Sequence, residues 1–190
     1  MNRVAVGGLV LSLLSGVAGL DDATRDAVQR LRSPLGNTIF QGATDLGRRD
    51  ILAFGLLGIA AFGGPQGPAL ARVALVSLAG SNLVAEGLKR VVRRTRPDGD
   101  TNPNNASFPS GHATSAAALA MVLSRRWRRG TALFCALALI VAFSRIYLNR
   151  HYLSDVVAGV AIGLVCTWLT IRLWPRGTSH ANSSPEAPRP

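Results

Sequence analysis

The sequence predicts an all-α integral-membrane bundle of about six transmembrane helices. Three observations carry that prediction. Hydrophobic residues make up 48% of the chain against 16% charged, and the mean hydropathy is +0.25. The apolar residues fall in blocks, several of them near the roughly 20 residues that cross a ~30 Å hydrocarbon core. The arginines gather at the ends of those blocks, where side chains reach headgroups or bind phosphate.

Taken in order, the first block is 4–20. It reads as a spanning helix or as a secretory signal, with basic Arg3, an apolar run and Gly16-Val17-Ala18 as a cleavage site. Residues 21–50 mix Asp21, Asp22, Asp26, Arg25, Arg30 and Arg32 with leucines and valines, a pattern that suits a helix lying along the interface. The blocks 69–88, 131–147 and 156–174 are clear spans. Two others are short: 51–62 reaches across only if its helix starts near Thr44, and 113–123 only if its polar ends are counted. The loop 97–107 is turn chemistry throughout. Residues 1–174 form one membrane domain with its motif-bearing core at 69–174, and the polar tail 175–190 is expected to be disordered. Trp127 and Trp174 fall at helix ends, as interfacial anchors do, whereas Trp168 does not.

The net charge of +11 invites a nucleic-acid partner, but no aromatic-interleaved basic surface or DNA-binding motif accompanies it. Cys135 and Cys166 lie inside apolar runs and read as packing residues, with neither metal-site spacing nor a disulfide framework. No protein partner is legible.

Three polar clusters interrupt this pattern. The first, Lys89 to Pro97, ends the block 69–88 and places five cations in eight residues. As a plain cytoplasmic flank it would be unremarkable, but so many like charges repel unless an anion sits among them. Lys89 and Arg96 are seven residues apart, which on a helix puts them on one face two turns from each other. The second is Pro109-Ser110-Gly111-His112. Ser110 is a natural N-cap, the free N–H groups and dipole of a helix start suit phosphate, and Gly111 lets an anion approach the backbone. His112 would stand beside that anion, able to give or take a proton. The third runs from Ser144 to Asp155. His151 and Asp155 are at i and i+4, so on a helix the carboxylate reaches one imidazole nitrogen, fixes the tautomer and raises the basicity of the other. Arg145 adds a planar fork for phosphate oxygens. If the helices alternate in direction, all three clusters meet on one membrane face.

The order Lys-x6-Arg-Pro, Pro-Ser-Gly-His and Ser-Arg-x5-His-x3-Asp resembles the type 2 phosphatidic acid phosphatase family of membrane lipid phosphatases. Here it reads Lys89…Arg96-Pro97, Pro109-Ser110-Gly111-His112 and Ser144-Arg145…His151…Asp155, over about 69–174. The resemblance implies that His151 attacks phosphorus, that Asp155 orients it, and that His112 protonates the leaving oxygen and then activates water. By the same resemblance Lys89, Arg96, Ser110, Gly111 and Arg145 hold the phosphate oxygens, with no metal and no cofactor. The implied substrate is a phosphorylated membrane lipid held in the bilayer: undecaprenyl diphosphate, phosphatidic acid, phosphatidylglycerol phosphate or a lipid A phosphate. The small bacterial form leans toward the first. Soluble acid phosphatases and vanadium haloperoxidases share the wider superfamily, but the spanning blocks and the short apolar chain set this sequence apart from them. The alternatives are a non-enzymatic phospholipid-binding membrane protein, which a missing nucleophile or acid would favour though neither is missing, and a lipid phosphotransferase using the same site.

The expected location is the cell inner membrane, multi-pass. Arg3, Arg72, Arg125, Arg126, Arg128, Arg129, Arg172, Arg176 and Arg189 share one side, leaving twelve of the 21 lysines and arginines on the other. Seven of those twelve lie in or beside the motifs: Lys89, Arg90, Arg93, Arg94, Arg96, Arg145 and Arg150. With these set aside, the dense run 125–129 becomes cytoplasmic and the site faces the periplasm or outer surface.

Overall fold

The computed structural model describes residues 3–100, 102 and 105–174, except for the side chains of 3–15 and 49. Among these residues there is no strand. Seven α-helices follow one another: α1 (Arg3–Arg30), α2 (Pro34–Asp45), α3 (Arg49–Phe62), α4 (Gly67–Val92), α5 (Gly111–Arg126), α6 (Thr131–Tyr147) and α7 (Leu153–Leu173), with a 3-10 turn at Arg128–Gly130. The predicted all-α class holds, and each of the expected apolar blocks falls within one helix, save that Trp174 lies one residue past the end of α7. α4, α7 and the stretch Arg128–Tyr147 are long and apolar enough to cross a membrane, whereas Asp50–Phe62 is apolar but shorter.

The expectation for 21–50 needs correction. Residues 21–30 do not lie along the interface as a separate helix; they continue α1 without a break. Asp21 and Val28 are buried while Asp22 and Asp26 are exposed, so the polar half of α1 turns one face inward. The chain then breaks at Ser33-Pro34, where Ser33 caps α2 by accepting the Gly36 N–H at 3.0 Å. Tyr147 at the end of α6 fastens this break: its hydroxyl accepts the Ser33 N–H at 3.0 Å and donates to the Leu31 carbonyl at 3.3 Å. Phe40 packs its ring on Tyr147 and edge-on to Phe143, which lays α2 along α6.

α5 is the central helix, touching α4, α6 and α7. Its small residues make this possible: Ala113, Thr114, Ser115, Ala117, Ala118 and Ala120 are buried, and α7 brings Gly159 and Gly163 against them. Small residues let backbones close in where lipid supplies no hydrophobic drive between helices, leaving dispersion and buried hydrogen bonds to hold the contact. Asn82 of α4 provides one such bond, donating to Ser115 at 2.9 Å. Large side chains such as Phe54, Leu83, Leu133 and Val157 point outward, as lipid-facing residues do. Cys135 is exposed among them, which corrects its assignment as a packing residue; Cys166 is half-buried. The tail 175–190 lies outside the described residues.

Candidate active site

The helices run back and forth so that the ends of α1, α4 and α6 and the starts of α5 and α7 meet at one end of the bundle. Lys89 is in the last turn of α4, its Nζ 3.4 Å from Glu86. Arg96 does not continue the helix face of Lys89, contrary to expectation. α4 stops at Val92 because Arg93 turns left-handed (φ 48°), and the chain folds back toward Pro97. Arg96 reaches the site from this loop, held by the Asn105 carbonyl at 2.8 Å and the Asn105 side chain at 2.7 Å.

Ser110 caps α5 as predicted, with its hydroxyl facing the Ala113 N–H at 3.5 Å, and its own N–H donates to the Asp155 carbonyl at 3.0 Å. Gly111 lies beside Lys89: a Cβ there would be 3.8 Å from Nζ. The His112 ring rests on Gly47, where a Cβ would come within 2.9 Å of it, so glycine is required at that close approach. Arg145 is buried in the last turn of α6, donating to Thr44 of α2 at 2.6 Å, while its Nε has no hydrogen-bond partner in the protein.

His151 is buried, with its backbone N–H bonded to the Arg145 carbonyl at 3.2 Å. It precedes α7 instead of lying on it, so helical i,i+4 geometry does not set its distance from Asp155. Asp155, in the first turn of α7, accepts the Tyr152 N–H at 2.9 Å, and this turns the preceding segment back over the carboxylate. Nδ1 of His151 then lies 3.6 Å from Asp155 Oδ2, an electrostatic contact slightly too long for a hydrogen bond. Nε2 lies 3.4 Å from a guanidinium nitrogen of Arg96. A guanidinium can only donate, so the neighbours assign the proton to Nδ1, toward Asp155, and the lone pair to Nε2. The eight residues singled out in the sequence are thereby brought to one end of the bundle: His112, His151, Asp155, Lys89, Arg96, Ser110, Gly111 and Arg145.

Three further residues belong to the arrangement and were missed. Arg94 donates to Asp155 Oδ1 at 2.8 Å and to Asp21 Oδ2 at 2.7 Å. Ser107 donates to the other oxygen of Asp155. Asp21, from α1, is the second carboxylate on Arg94. Burial works against the charge of Arg94, but Asp21 and Asp155 outweigh it and hold the guanidinium above its ordinary range. Nothing in the run of cations singles out Arg94. The 3.6-residue spacing of Asp21, Arg25 and Val28 was the available signal for α1.

An apolar groove of about 230 Å³ lies between α3, α5 and α6. Leu46 and Val141 line one end of it, next to Gly47 and so to His112; Leu56, Leu119, Leu123 and Phe134 line the rest. A larger groove of about 700 Å³ between α5, α6 and α7 is lined by Arg125 and Arg128, at the far end of the bundle from both histidines.

The pattern of the PAP2 superfamily matches residues 70–179. Over 118 residues the chain is 41% identical to the decaprenylphosphoryl-5-phosphoribose phosphatase of Mycobacterium tuberculosis (strain H37Rv), covering 57% of this chain and 66% of that protein. Over 108 residues it is 33% identical to the lipid A 1-phosphatase of Rhizobium johnstonii, covering 50% of this chain and 44% of that one. The chain thus spans less than two thirds of the length of these relatives. Among solved structures, the first transmembrane PAP2 type phosphatidylglycerolphosphate phosphatase from Bacillus subtilis superposes with a TM-score of 0.69 at 24% identity, over 92% of this chain and 98% of that one. That likeness carries the fold.

Proposed function

The chain belongs to the PAP2 superfamily, and from that membership we propose that it is a membrane lipid phosphatase acting through a phosphohistidine. One observation carries the proposal: a buried histidine with a carboxylate behind Nδ1 turns its Nε2 lone pair toward the cations Arg96 and Arg145. Nε2 of His151 attacks phosphorus, forming the P–N bond as the P–O bond to the lipid breaks. Burial and the cations Arg145, Lys89 and Arg96 lower His112 to about 3 and keep it neutral until the phosphate dianion enters beside it and offsets those cations. The leaving oxygen then takes the proton that His112 gains with the dianion. His112, now neutral, accepts a proton from water; the resulting hydroxide attacks phosphorus, the P–N bond breaks, and phosphate leaves. Lys89, Arg96, Arg145 and the N-terminus of α5 hold the phosphoryl oxygens as charge builds.

The substrate is a phosphate monoester or diphosphate of a membrane lipid. Three of its features match the site: the phosphate suits the cations, the leaving oxygen suits His112, and the chain attached to that oxygen suits the groove whose Val141 end lies across Gly47 from His112. The relatives named above act on lipids of this class. We assign the protein to the cell inner membrane with the site facing the periplasm or outer surface. The positive charges facing the phosphate are side chains, so the chemistry calls for no metal.

Phosphate release from a panel of lipid phosphates and diphosphates tests the substrate class, and EDTA should leave that release intact. The two histidines separate by leaving group. His151→Ala should abolish turnover and phosphoenzyme on every substrate. His112→Ala should lose much less on p-nitrophenyl phosphate, whose leaving group departs without a proton, than on a lipid monoester. A His151→Ala protein that still traps acid-labile phosphate would defeat the assignment of the nucleophile.

A further inference from the structure

The polar half of α1 lies outside the stretch that matches the superfamily, yet it holds both loops of the site. Arg25 donates to the Asn149 side chain at 3.0 Å and the Pro97 carbonyl at 3.2 Å, and Gln29 donates to the carbonyls of Ile146 and Tyr147, each at 3.2 Å. Asp21 goes deeper and is only 2% exposed. Its Oδ1 accepts the Ser154 N–H at 2.8 Å, one of the unpaired donors in the first turn of α7. Its Oδ2 accepts the Ser154 hydroxyl at 2.6 Å and Arg94 at 2.7 Å.

Arg94 creates an electrostatic problem that Asp21 answers. Asp155 must present negative charge to His151, because attack on phosphorus turns the imidazole into a cation. A guanidinium 2.8 Å from Asp155, in a site where Asp155 itself is fully buried, would cancel much of that charge. A second carboxylate on the same guanidinium divides its charge between two partners and leaves the trio with a net negative charge. We propose that Asp21 is a positioning residue of the catalytic centre: it shares the charge of Arg94 with Asp155, fixes the start of α7, and so keeps Asp155 able to stabilise the His151 cation. This rests on the phosphohistidine reading. His151 is also faced by Arg96 from the α4–α5 loop, Arg145 from α6 and His112 from α5. Asp21 bonds to none of these, so its influence runs through Arg94, Ser154 and Asp155.

The test is a charge cycle on the full-length protein in detergent or vesicles, reading phosphoenzyme formation, kcat and KM for the best lipid of the panel. Asp21→Asn keeps the shape and leaves Arg94 to Asp155 alone. Phosphoenzyme formation should slow about tenfold or more, appearing in kcat with KM within about twofold. The double variant Asp21→Asn/Arg94→Gln removes one charge of each sign and restores the negative charge of Asp155. It should recover to within about threefold of wild type. A merely structural ion pair gives the reverse: the double variant is no better than the single one, or KM rises with kcat unchanged, and either result overturns the proposal. If Asp21→Asn does not fold, the double variant alone decides, with recovered activity supporting the proposal. Loss of activity with a native melting curve, or loss of fold in both variants, overturns it. Wild-type protein that traps no phosphoenzyme would instead defeat the phosphohistidine reading on which this one rests.

Discussion

Burial, reinforced by the guanidiniums of Arg96 and Arg145, lowers His151 to about 4 from its ordinary 6.5, although Asp155 pulls the other way. His151 is therefore neutral, the form that can attack phosphorus, across the whole range near neutrality. The same shift links folding to pH. The unfolded chain protonates this histidine near its ordinary value while the folded protein resists until about 4. Between those values the unfolded state binds more protons, so stability is fully present above the ordinary value and is lost as pH falls through the folded one. His151→Gln removes this contribution. Its melting temperature should fall less than that of wild type between about pH 6.5 and 4.5, measured in one detergent at fixed ionic strength. Parallel slopes for the two proteins would mean that His151 is protonated as easily in the fold as out of it. At this scale the sequence exposes the residues that would touch phosphate, because histidine, arginine and a capping serine announce their chemistry locally. It hides Arg94, which stands in a run of cations and is distinguished only by partners 61 and 73 residues away.

Helix packing decides whether those residues meet. A Cβ on Gly163 would lie 2.3 Å from the carbonyl oxygen of Thr114, and one on Gly159 would lie 2.5 Å from that of Ser110. Backbone atoms cannot swing aside, so α7 can carry nothing larger than glycine where it crosses the first turns of α5. That crossing also sets the distance between the Ser110 cap and Asp155. Gly163→Ala should push α7 away and cost about 1–3 kcal/mol of stability, with activity falling alongside. Gly80→Ala in α4 is the control: its Cβ meets nothing within 4 Å, and alanine in a helix should be neutral or stabilising by up to about 1 kcal/mol. Equal melting temperatures for wild type and Gly163→Ala would show that the helices can slide apart at no cost. Elements were legible where apolar length sufficed, as in α4, α6 and α7. The end of α1 was not, because an apolar run that turns charged at Asp21 looks like a helix leaving the membrane. Its charges instead find partners in α7 and two loops, which no local pattern records. Lys89 and Arg96 were likewise read as one helical face, since only the left-handed turn at Arg93 shows where α4 stops.

At the scale of the whole molecule the remaining question is which way the bundle faces. The charge rule for orientation counts lysines and arginines in short loops near the ends of the spanning helices. On the end that carries the site, many are engaged. Arg94 lies between two carboxylates, Arg96 is bonded to Asn105, and Arg145 is buried against Thr44. Arg150 pairs with Asp98, Arg48 pairs with Asp50, and Arg25 is tied to Asn149 and Pro97. The opposite end is different in kind. Arg125 and Arg126 in the last turn of α5 and Arg128 and Arg129 in the turn that follows are exposed around Trp127, a short basic stretch with an aromatic anchor at the helix end. Charges committed to the fold and to phosphate do not report on orientation, whereas this stretch does, so it should be cytoplasmic and the site external. Single cysteines at Asn102 and Arg128, introduced with Cys135 and Cys166 replaced by serine, give the measurement. A membrane-impermeant thiol reagent added to intact cells should label position 102 and leave 128 unlabelled until the cells are opened. Labelling of 128 alone in intact cells would reverse the orientation and place the phosphate chemistry in the cytoplasm.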